Sequence, residues 1–126
     1  MADFLGDRVF DNGLTVLDTE ADKLYITSAQ AATLAEATTT YALGNKTLAA
    51  GDISAPSDRT GGGRKVTVSA LSGGSVTATG TATHYAIIDS VNSRLLAAAD
   101  LGASQAVTSG NTFSVTSLEI GIPDPA

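Results

Sequence analysis

The chain has 126 residues, a length that fits one domain with its own core and no covalent staples. Cysteine is missing from the composition, which excludes disulfide bonds, thiolate metal sites and cysteine catalysis. The formal net charge of −6, with no cluster of Lys and Arg to offset it, argues against binding to nucleic-acid phosphates.

Aromatic residues make up only 5% of the chain and Trp is absent, so the core must be built from small and β-branched side chains. Such a core is thin, and self-association is one way to bury more area. The sequence has no apolar run of membrane length, and its start lacks the basic and apolar regions of a secretory signal. We therefore expect a soluble protein made in a cytoplasm, with no membrane partner.

Residues 1–22 are predicted to form an extended N-terminal arm. Two apolar pairs, Phe4/Leu5 and Val9/Phe10, fit neither helical nor strand periodicity well, and Arg8 lies between them. A terminus is usually frayed unless something holds it. The arm either covers one end of its own core or lies against a neighbouring subunit or a larger particle, and both interpretations remain open at this point.

The next segment contains acidic residues between two possible strands. Residues 14–17 could form a short strand, and residues 23–27 form a better one. Between them Asp18, Glu20 and Asp22 are spaced by two, but the glycine and the distal glutamate of a calcium loop are missing. A solvated acidic turn is the preferred interpretation, and no metal site is predicted.

Residues 28–40 are the one place where a helix is predicted, and it could be no more than two turns long. The chain is extended again at residues 41–43. Residues 49–63 are rich in Gly, Ser, Asp and Pro and are predicted to form a surface loop. The glycines at 61–63 precede a strand and are not followed by Gly-Lys-Ser/Thr, so they predict a hinge and not a phosphate loop.

Two successive β-hairpins are predicted after this loop. In the first, residues 66–70 alternate like a half-buried strand, the Ser-Gly-Gly-Ser at 72–75 forms the turn, and residues 76–83 return. In the second, a central strand at 84–89 reverses at 90–93 and returns. Gly80, in the returning strand of the first hairpin, marks a bulge or a close approach of another backbone.

The single histidine, His84, lies in the second hairpin and is interpreted as a structural, hydrogen-bonded residue. A lone histidine needs a nucleophile and an orienting partner for catalysis, and a chain so rich in Ser and Thr makes such neighbours uninformative. We predict no catalytic residue and no cofactor, and therefore no enzyme.

Residues 100–111 are predicted to be a loop with a brief extended patch. The last strand, at 112–122, changes the parity of its apolar residues, which predicts a bulge near residues 116–117. Short strands separated by Gly, Ser and Asn turns predict an all-β fold, an antiparallel β-sandwich of jelly-roll-like or immunoglobulin-like type. The predicted organisation is the arm at 1–22 followed by a single sandwich domain at 23–126.

Four blocks of the sequence carry a resemblance to a known family. They are residues 40–46 (TYALGNK), 61–89 (GGGRKVTVSALSGGSVTATGTATHYAIID), 94–97 (RLLA) and 104–126 (SQAVTSGNTFSVTSLEIGIPDPA). As a set they resemble a family of small proteins encoded among the virion structural genes of tailed bacteriophages and prophages.

The resemblance implies a virion component, because small β-sandwich virion proteins commonly decorate the capsid lattice or form parts of the tail. The leading expectation is an oligomeric capsid decoration (cement) protein, a homotrimer that binds the major capsid protein on the capsid surface after synthesis in the host bacterial cytoplasm. Its predicted contact residues are Phe4, Leu5, Arg8, Val9 and Phe10. The alternative is a tail-associated fibre, tip or host-surface-binding module, which the few aromatic residues make a weaker candidate for glycan recognition.

Overall fold

The computed structural model describes residues 7–123, with side chains from Asn12 onward. In this part of the chain one α-helix, one π-helical turn and nine strands follow one another. They are α1 (Asp7–Glu20), β1 (Lys23–Thr27), the π-helical turn (Glu36–Thr40), β2 (Ala42–Thr47), β3 (Ser57–Asp58), β4 (Arg64–Val68), β5 (Leu71–Val76), β6 (Gly80–Asp89), β7 (Arg94–Val107), β8 (Thr112–Val115) and β9 (Leu118–Ile122).

The strands form two antiparallel sheets. The larger sheet is curled and has the order β7-β6-β1-β2-β5-β8, and the smaller sheet has the order β3-β4-β9. This confirms the predicted all-β, antiparallel, sandwich-like fold class. The chain divides into two compact units with one sheet each: residues 21–49 and 71–115 form the larger unit, and residues 50–70 with the described parts 7–20 and 116–123 form the smaller one.

The larger unit is built around β1 and β6, which pair with each other. Leu24 and Ile26 of β1 have no solvent exposure, as their alternation with polar residues predicted. Every residue from Tyr85 to Asp89 in β6 is buried, which confirms that this strand is central. The second predicted hairpin is also confirmed, since β6 pairs with β7 across the turn at residues 90–93.

The larger sheet is curled, and the short connection between its two outer strands accounts for this. β7 and β8 lie at opposite ends of the strand order, yet only residues 108–111 separate them. The Gln105 side-chain amide donates a hydrogen bond of 2.9 Å to the Ser114 carbonyl, which ties β7 to β8. The Val76 amide donates to the Asn111 carbonyl over 3.0 Å, which fixes the connecting loop to β5.

The smaller unit contains α1, which corrects the prediction for the start of the chain. Residues 7–20 are helical and not an extended arm, and the strand predicted at 14–17 is wrong. Leu14 and Leu17 are buried at helical spacing, and α1 contacts β4. Tertiary burial of these two leucines outweighs the cost of about 1 kcal/mol for Gly13 inside the helix, which the sequence indicated as a turn.

The first predicted hairpin is wrong. β4 pairs with β3 and β9, and residues 72–75 lie inside β5, which pairs with β2 and β8. Gly73 does adopt a positive φ of 73°, but within a register shift of the β5–β8 ladder and not in a reversal of the chain. Bulges and tight turns both need a residue in this conformation, so the local signal could not distinguish them.

Three further predictions differ from the structure. The loop predicted at 100–111 is mostly the second half of β7, which runs 14 residues to Val107. The predicted bulge at 116–117 is a break, after which the chain leaves the larger sheet and β9 joins the smaller one. The helix predicted at 28–40 is reduced to a short turn that ends in the π-helical residues Glu36–Thr40. The predicted surface loop at 49–63 holds, apart from the bridge of Ile53 to Val68 and the two residues of β3.

The Phe113 ring packs against two glycines, which have no side chain in the space that the ring fills. A Cβ atom at Gly74 would lie 2.3 Å from Cε1 of Phe113, and one at Gly44 would lie 2.5 Å from the Ser75 carbonyl oxygen and 3.2 Å from the same ring. Phe113 is only 5% exposed, so its ring cannot swing into solvent to make room without losing this burial. Close packing of an aromatic ring on bare backbone therefore joins β2, β5 and β8.

Gly74→Ala is expected to destabilise the protein by about 1–3 kcal/mol, because the added methyl group overlaps the Phe113 ring. Urea unfolding followed by far-UV circular dichroism measures the free energy of unfolding. In a double-mutant cycle, the combination with Phe113→Leu should recover part of the loss. Strict additivity of the two substitutions would contradict this account of Gly74.

In contrast to Gly74→Ala, the substitution Gly13→Ala is expected to stabilise the protein by up to about 1 kcal/mol. Gly13 lies inside α1, and the nearest described atom to a new Cβ would be Cδ1 of Ile122 at 3.8 Å, an ordinary contact distance. The same unfolding measurement checks it. A loss of stability would mean that the helix does not run through this position.

Candidate functional site

The residues predicted to make capsid contacts fall at the start of the chain. Phe4 and Leu5 lie outside the described residues. The backbone of Arg8, Val9 and Phe10 belongs to α1, and their side chains lie outside the described part. The structure therefore changes the backbone conformation expected for the last three and leaves the contact prediction itself untested.

The turn between β6 and β7 is held by Asp89. Its Oδ1 accepts hydrogen bonds from the Val91 and Asn92 amides, at 3.0 and 3.2 Å, and its Oδ2 accepts one from the Asn92 side chain at 2.8 Å. Asp89 is only 2% exposed, and Ser93 completes the turn with a φ of 56°. A buried carboxylate that accepts several hydrogen bonds fixes the conformation of this turn.

These hydrogen bonds also control the ionisation of Asp89. The Asn92 side chain, the backbone amides of Asn92 and Val91, and the nearby charge of Arg94 lower the pKa of Asp89, while its desolvation acts in the opposite direction. The largest cause is the Asn92 side chain. The charged form of Asp89 is therefore the form that the turn favours.

The carboxylate of Asp22, which directly precedes β1, also holds the turn between β6 and β7. Asp22 Oδ1 accepts a hydrogen bond of 2.9 Å from the Ser90 amide, and Asp22 Oδ2 accepts one from the Ser90 hydroxyl. Asp22 was expected to belong to a solvated acidic turn with Asp18 and Glu20, but those two lie in α1 while Asp22 precedes β1 and supports the hairpin. Sequence spacing alone could not reveal a contact across 68 positions.

The fixed turn presents one apolar side chain to solvent. Val91 is 83% exposed, which makes it the most exposed large apolar residue in the described part of the chain. A single exposed valine is common on protein surfaces. What distinguishes Val91 is that its backbone is held in place by Asp89 and its neighbour Ser90 by Asp22, so little conformational entropy would be lost in a contact there.

His84, near the other end of β6, takes part in a hydrogen-bond network. Its Nδ1 lies 2.8 Å from the Thr83 hydroxyl oxygen, and its Nε2 lies 3.1 Å from Asp100 Oδ1 on β7. The Thr83 hydroxyl is also 3.0 Å from the Ser28 carbonyl oxygen. The prediction of a hydrogen-bonded histidine is confirmed, and its network joins β6, β7 and Ser28, which follows β1.

A register shift explains how neighbouring residues of one strand can share this network. Adjacent side chains in a regular strand point to opposite faces. Between Ala82 and His84 the β6–β7 ladder is shifted, because Ala82 pairs with Gln105 and His84 with Asp100. Thr83 lies opposite residues 101–104 and is not paired in this ladder, so its hydroxyl can reach the His84 ring.

The described residues contain neither a metal centre nor a membrane-spanning helix. Among residues 7–123, no group of three or more His, Asp or Glu side chains could hold a metal ion. Within the same residues, no helix has the length and apolar character needed to cross a membrane. The chain matches no protein-family model, no curated protein and no solved structure.

Asp89→Asn is expected to lower the stability of the hairpin and to remove part of the pH dependence of unfolding. Because the pKa of Asp89 is lowered in the folded state, its contribution is complete above the unfolded value of about 3.8 and is lost as pH falls through the lower folded value. Urea unfolding between pH 2.5 and 6 measures both effects. The matched control is Asp58→Asn, since Asp58 is 90% exposed in its ion pair with Arg64. Equal effects of the two substitutions would contradict the role given to Asp89.

Proposed function

We propose that this protein is a bacteriophage virion structural protein that decorates the capsid by binding the major capsid protein as a homotrimer. The resemblance of four sequence blocks to small phage virion proteins carries this proposal. The all-β, sandwich-like fold supports it, because decorating and tail proteins of this size commonly have such folds.

The composition of the core supports assembly. Phe113 and Tyr85 are the aromatic residues in a buried set that otherwise consists of Leu, Ile, Val and Ala. A core of such small side chains buries little area per residue, and a symmetric oligomer adds buried area without lengthening the chain. Burial also raises the pKa of Tyr85, so this side chain stays neutral in the interior.

The outer strand of the larger sheet favours contacts through side chains over extension of the sheet. β7 is an edge strand of 14 residues, but its ladder with β6 shifts register twice, and the Gln30 side chain donates to the Ala98 carbonyl over 2.9 Å. Bulges and capped carbonyls discourage a second strand from pairing there. Subunits and capsid are therefore proposed to meet through loops, such as the Val91 turn, and through the N-terminal residues.

The tail-associated alternative receives less support. Glycan-binding modules present aromatic platforms, but Tyr85 is buried and Tyr25 and Tyr41 are half-buried. Tyr25 packs against a cluster of buried apolar residues. A low copy number per virion would be the result that favours a tail location.

The copy number of this polypeptide per purified virion tests the proposal directly. Quantitative mass spectrometry against the major capsid protein should give a ratio near the number of capsid subunits. A handful of copies would indicate the tail or a vertex, and complete absence would overturn the virion proposal. Light scattering of the purified protein should give three times the 12.6 kDa chain mass. A measured mass of one chain would contradict the proposed trimer.

The double substitution Phe4→Ser, Leu5→Ser is expected to abolish attachment to decoration-free capsids, because it removes apolar anchors at the N-terminus. Substitution is better than deletion of residues 1–12, since α1 begins at Asp7 and its Leu14 and Leu17 belong to the core. Cosedimentation with capsids measures attachment, and an unchanged unfolding midpoint shows that the fold is intact. Phe4→Leu, Leu5→Ile is the matched control, because it changes the same two positions and keeps an apolar side chain at each. Full attachment of the double variant would exclude these two anchors.

A further inference from the structure

The strap is the segment of residues 28–41 that follows β1, and it closes on itself. The Ser28 amide donates to the Tyr41 carbonyl over 3.0 Å, so the two ends of the segment meet. Ala31, Leu34 and Ala37 of the strap pack in one apolar cluster with residues of the β1, β6 and β7 strands. These strand residues are Tyr25, Ala86, Ile88, Leu95 and Ala98. Compact surface segments with joined ends frequently have a functional role.

Three side-chain hydrogen bonds fasten the first residues of the strap to the sheet. The Ser28 carbonyl accepts from the Thr83 hydroxyl, the Ala29 carbonyl accepts from the Thr27 hydroxyl, and the Gln30 side chain donates to the Ala98 carbonyl. The first of these depends on the His84 ring, because the same Thr83 oxygen lies 2.8 Å from His84 Nδ1.

Counting protons shows that this network depends on the charge of His84. Thr83 has a single hydroxyl proton, while Ser28 O and His84 Nδ1 both lie within hydrogen-bond distance of its oxygen. A neutral ring has one N–H and can satisfy only two of the three contacts: the Asp100 carboxylate favours that proton on Nε2, and Nδ1 is then an acceptor that competes with Ser28 for the Thr83 proton. With a protonated ring, Nδ1 donates to Thr83, Thr83 donates to Ser28, and Nε2 donates to Asp100. All three contacts are then hydrogen bonds at once.

We propose that the Thr83–His84–Asp100 network is a pH-sensitive latch on the strap, closed when His84 is protonated and loosened when it is neutral. Loosening weakens the hold on Ser28, and the apolar cluster beneath the strap then becomes accessible more often. This proposal rests on hydrogen-bond geometry and does not depend on the virion proposal.

The groups that face the His84 ring fit this role. β7 contributes Asp100, whose carboxylate is 80% exposed and pairs with a protonated ring. β1 places Thr27 opposite His84 in the ladder, and the strap contributes the Ser28 carbonyl, neither of which titrates. Protonation of the ring beside the Asp100 carboxylate therefore closes the latch, and loss of that proton loosens it.

Amide hydrogen exchange of the strap, measured on the whole chain at pH 5.5 and 7.5, tests the latch. After correction for intrinsic exchange rates, protection of residues 28–41 should fall about three- to tenfold at the higher pH, the effect of one net hydrogen bond. His84→Gln should remove this pH dependence. Because His84 is the only histidine and the chain has no cysteine, few other groups titrate in this range. An equal pH dependence in His84→Gln, or none in the wild type, would overturn the proposal.

Variants of Thr83 distinguish a latch from a general loss of stability. Thr83→Ser keeps the hydroxyl and should keep the pH dependence, whereas Thr83→Val should give low protection at both pH values. Nitrogen NMR of the His84 ring at pH 5.5 should show both ring nitrogens protonated, with an Nδ1 proton that exchanges slowly. If Thr83→Val retained the wild-type pH response, the hydroxyl would not be the link.

Discussion

The larger sheet depends on strand β6, because β6 is buried between two partners that are distant in the chain. It pairs with β1, which precedes it by more than fifty residues, and with β7, which follows it directly. Its apolar residues fill the sheet's interior, and each of its ends is fixed by polar contacts of a different kind. At the β7 turn the fixing group is the buried carboxylate of Asp89, and near the other end it is the ring of His84. Burying such groups is stabilising only because their hydrogen-bonding capacity is satisfied, and no buried side-chain nitrogen or oxygen in the described part lacks a partner.

Those parts of the fold that depend on local signals could be predicted from the sequence. β1 lies at its predicted residues because Leu24 and Ile26 alternate with polar side chains, and the β6–β7 hairpin reverses where Ser and Asn indicate a turn. The partners of β4 could not be predicted in this way. β4 pairs with β9, more than fifty residues later, and the neighbouring β5 belongs to the other sheet. A period-two pattern indicates a strand but not its partner, so it cannot show that β4 pairs with β9 and not with the strand that follows it in the chain.

One feature of the candidate site can be recognised from the sequence. Asp89 followed by Asn92 is typical of a turn closed by a carboxylate, and this signal was available in the sequence. The contacts of Asp22 with Ser90 and of Thr83 with Ser28 join residues far apart in the chain, and no local pattern predicts them. The helix α1 cannot be predicted locally for a related reason, because the stabilising burial of Leu14 and Leu17 is tertiary while the Asn12-Gly13 pair is a local turn signal.

The order of the two units along the chain has a consequence for synthesis. The strands of the six-stranded sheet all lie between residues 23 and 115, so all of them are translated before β9. Until then β4 has only the two-residue strand β3 as a partner in its own sheet. All strands of the larger sheet are therefore made before the smaller sheet can be completed, because the smaller one needs residues 118–122. A chain cut after residue 115 would keep every strand of the larger sheet but would leave β4 without its long partner β9.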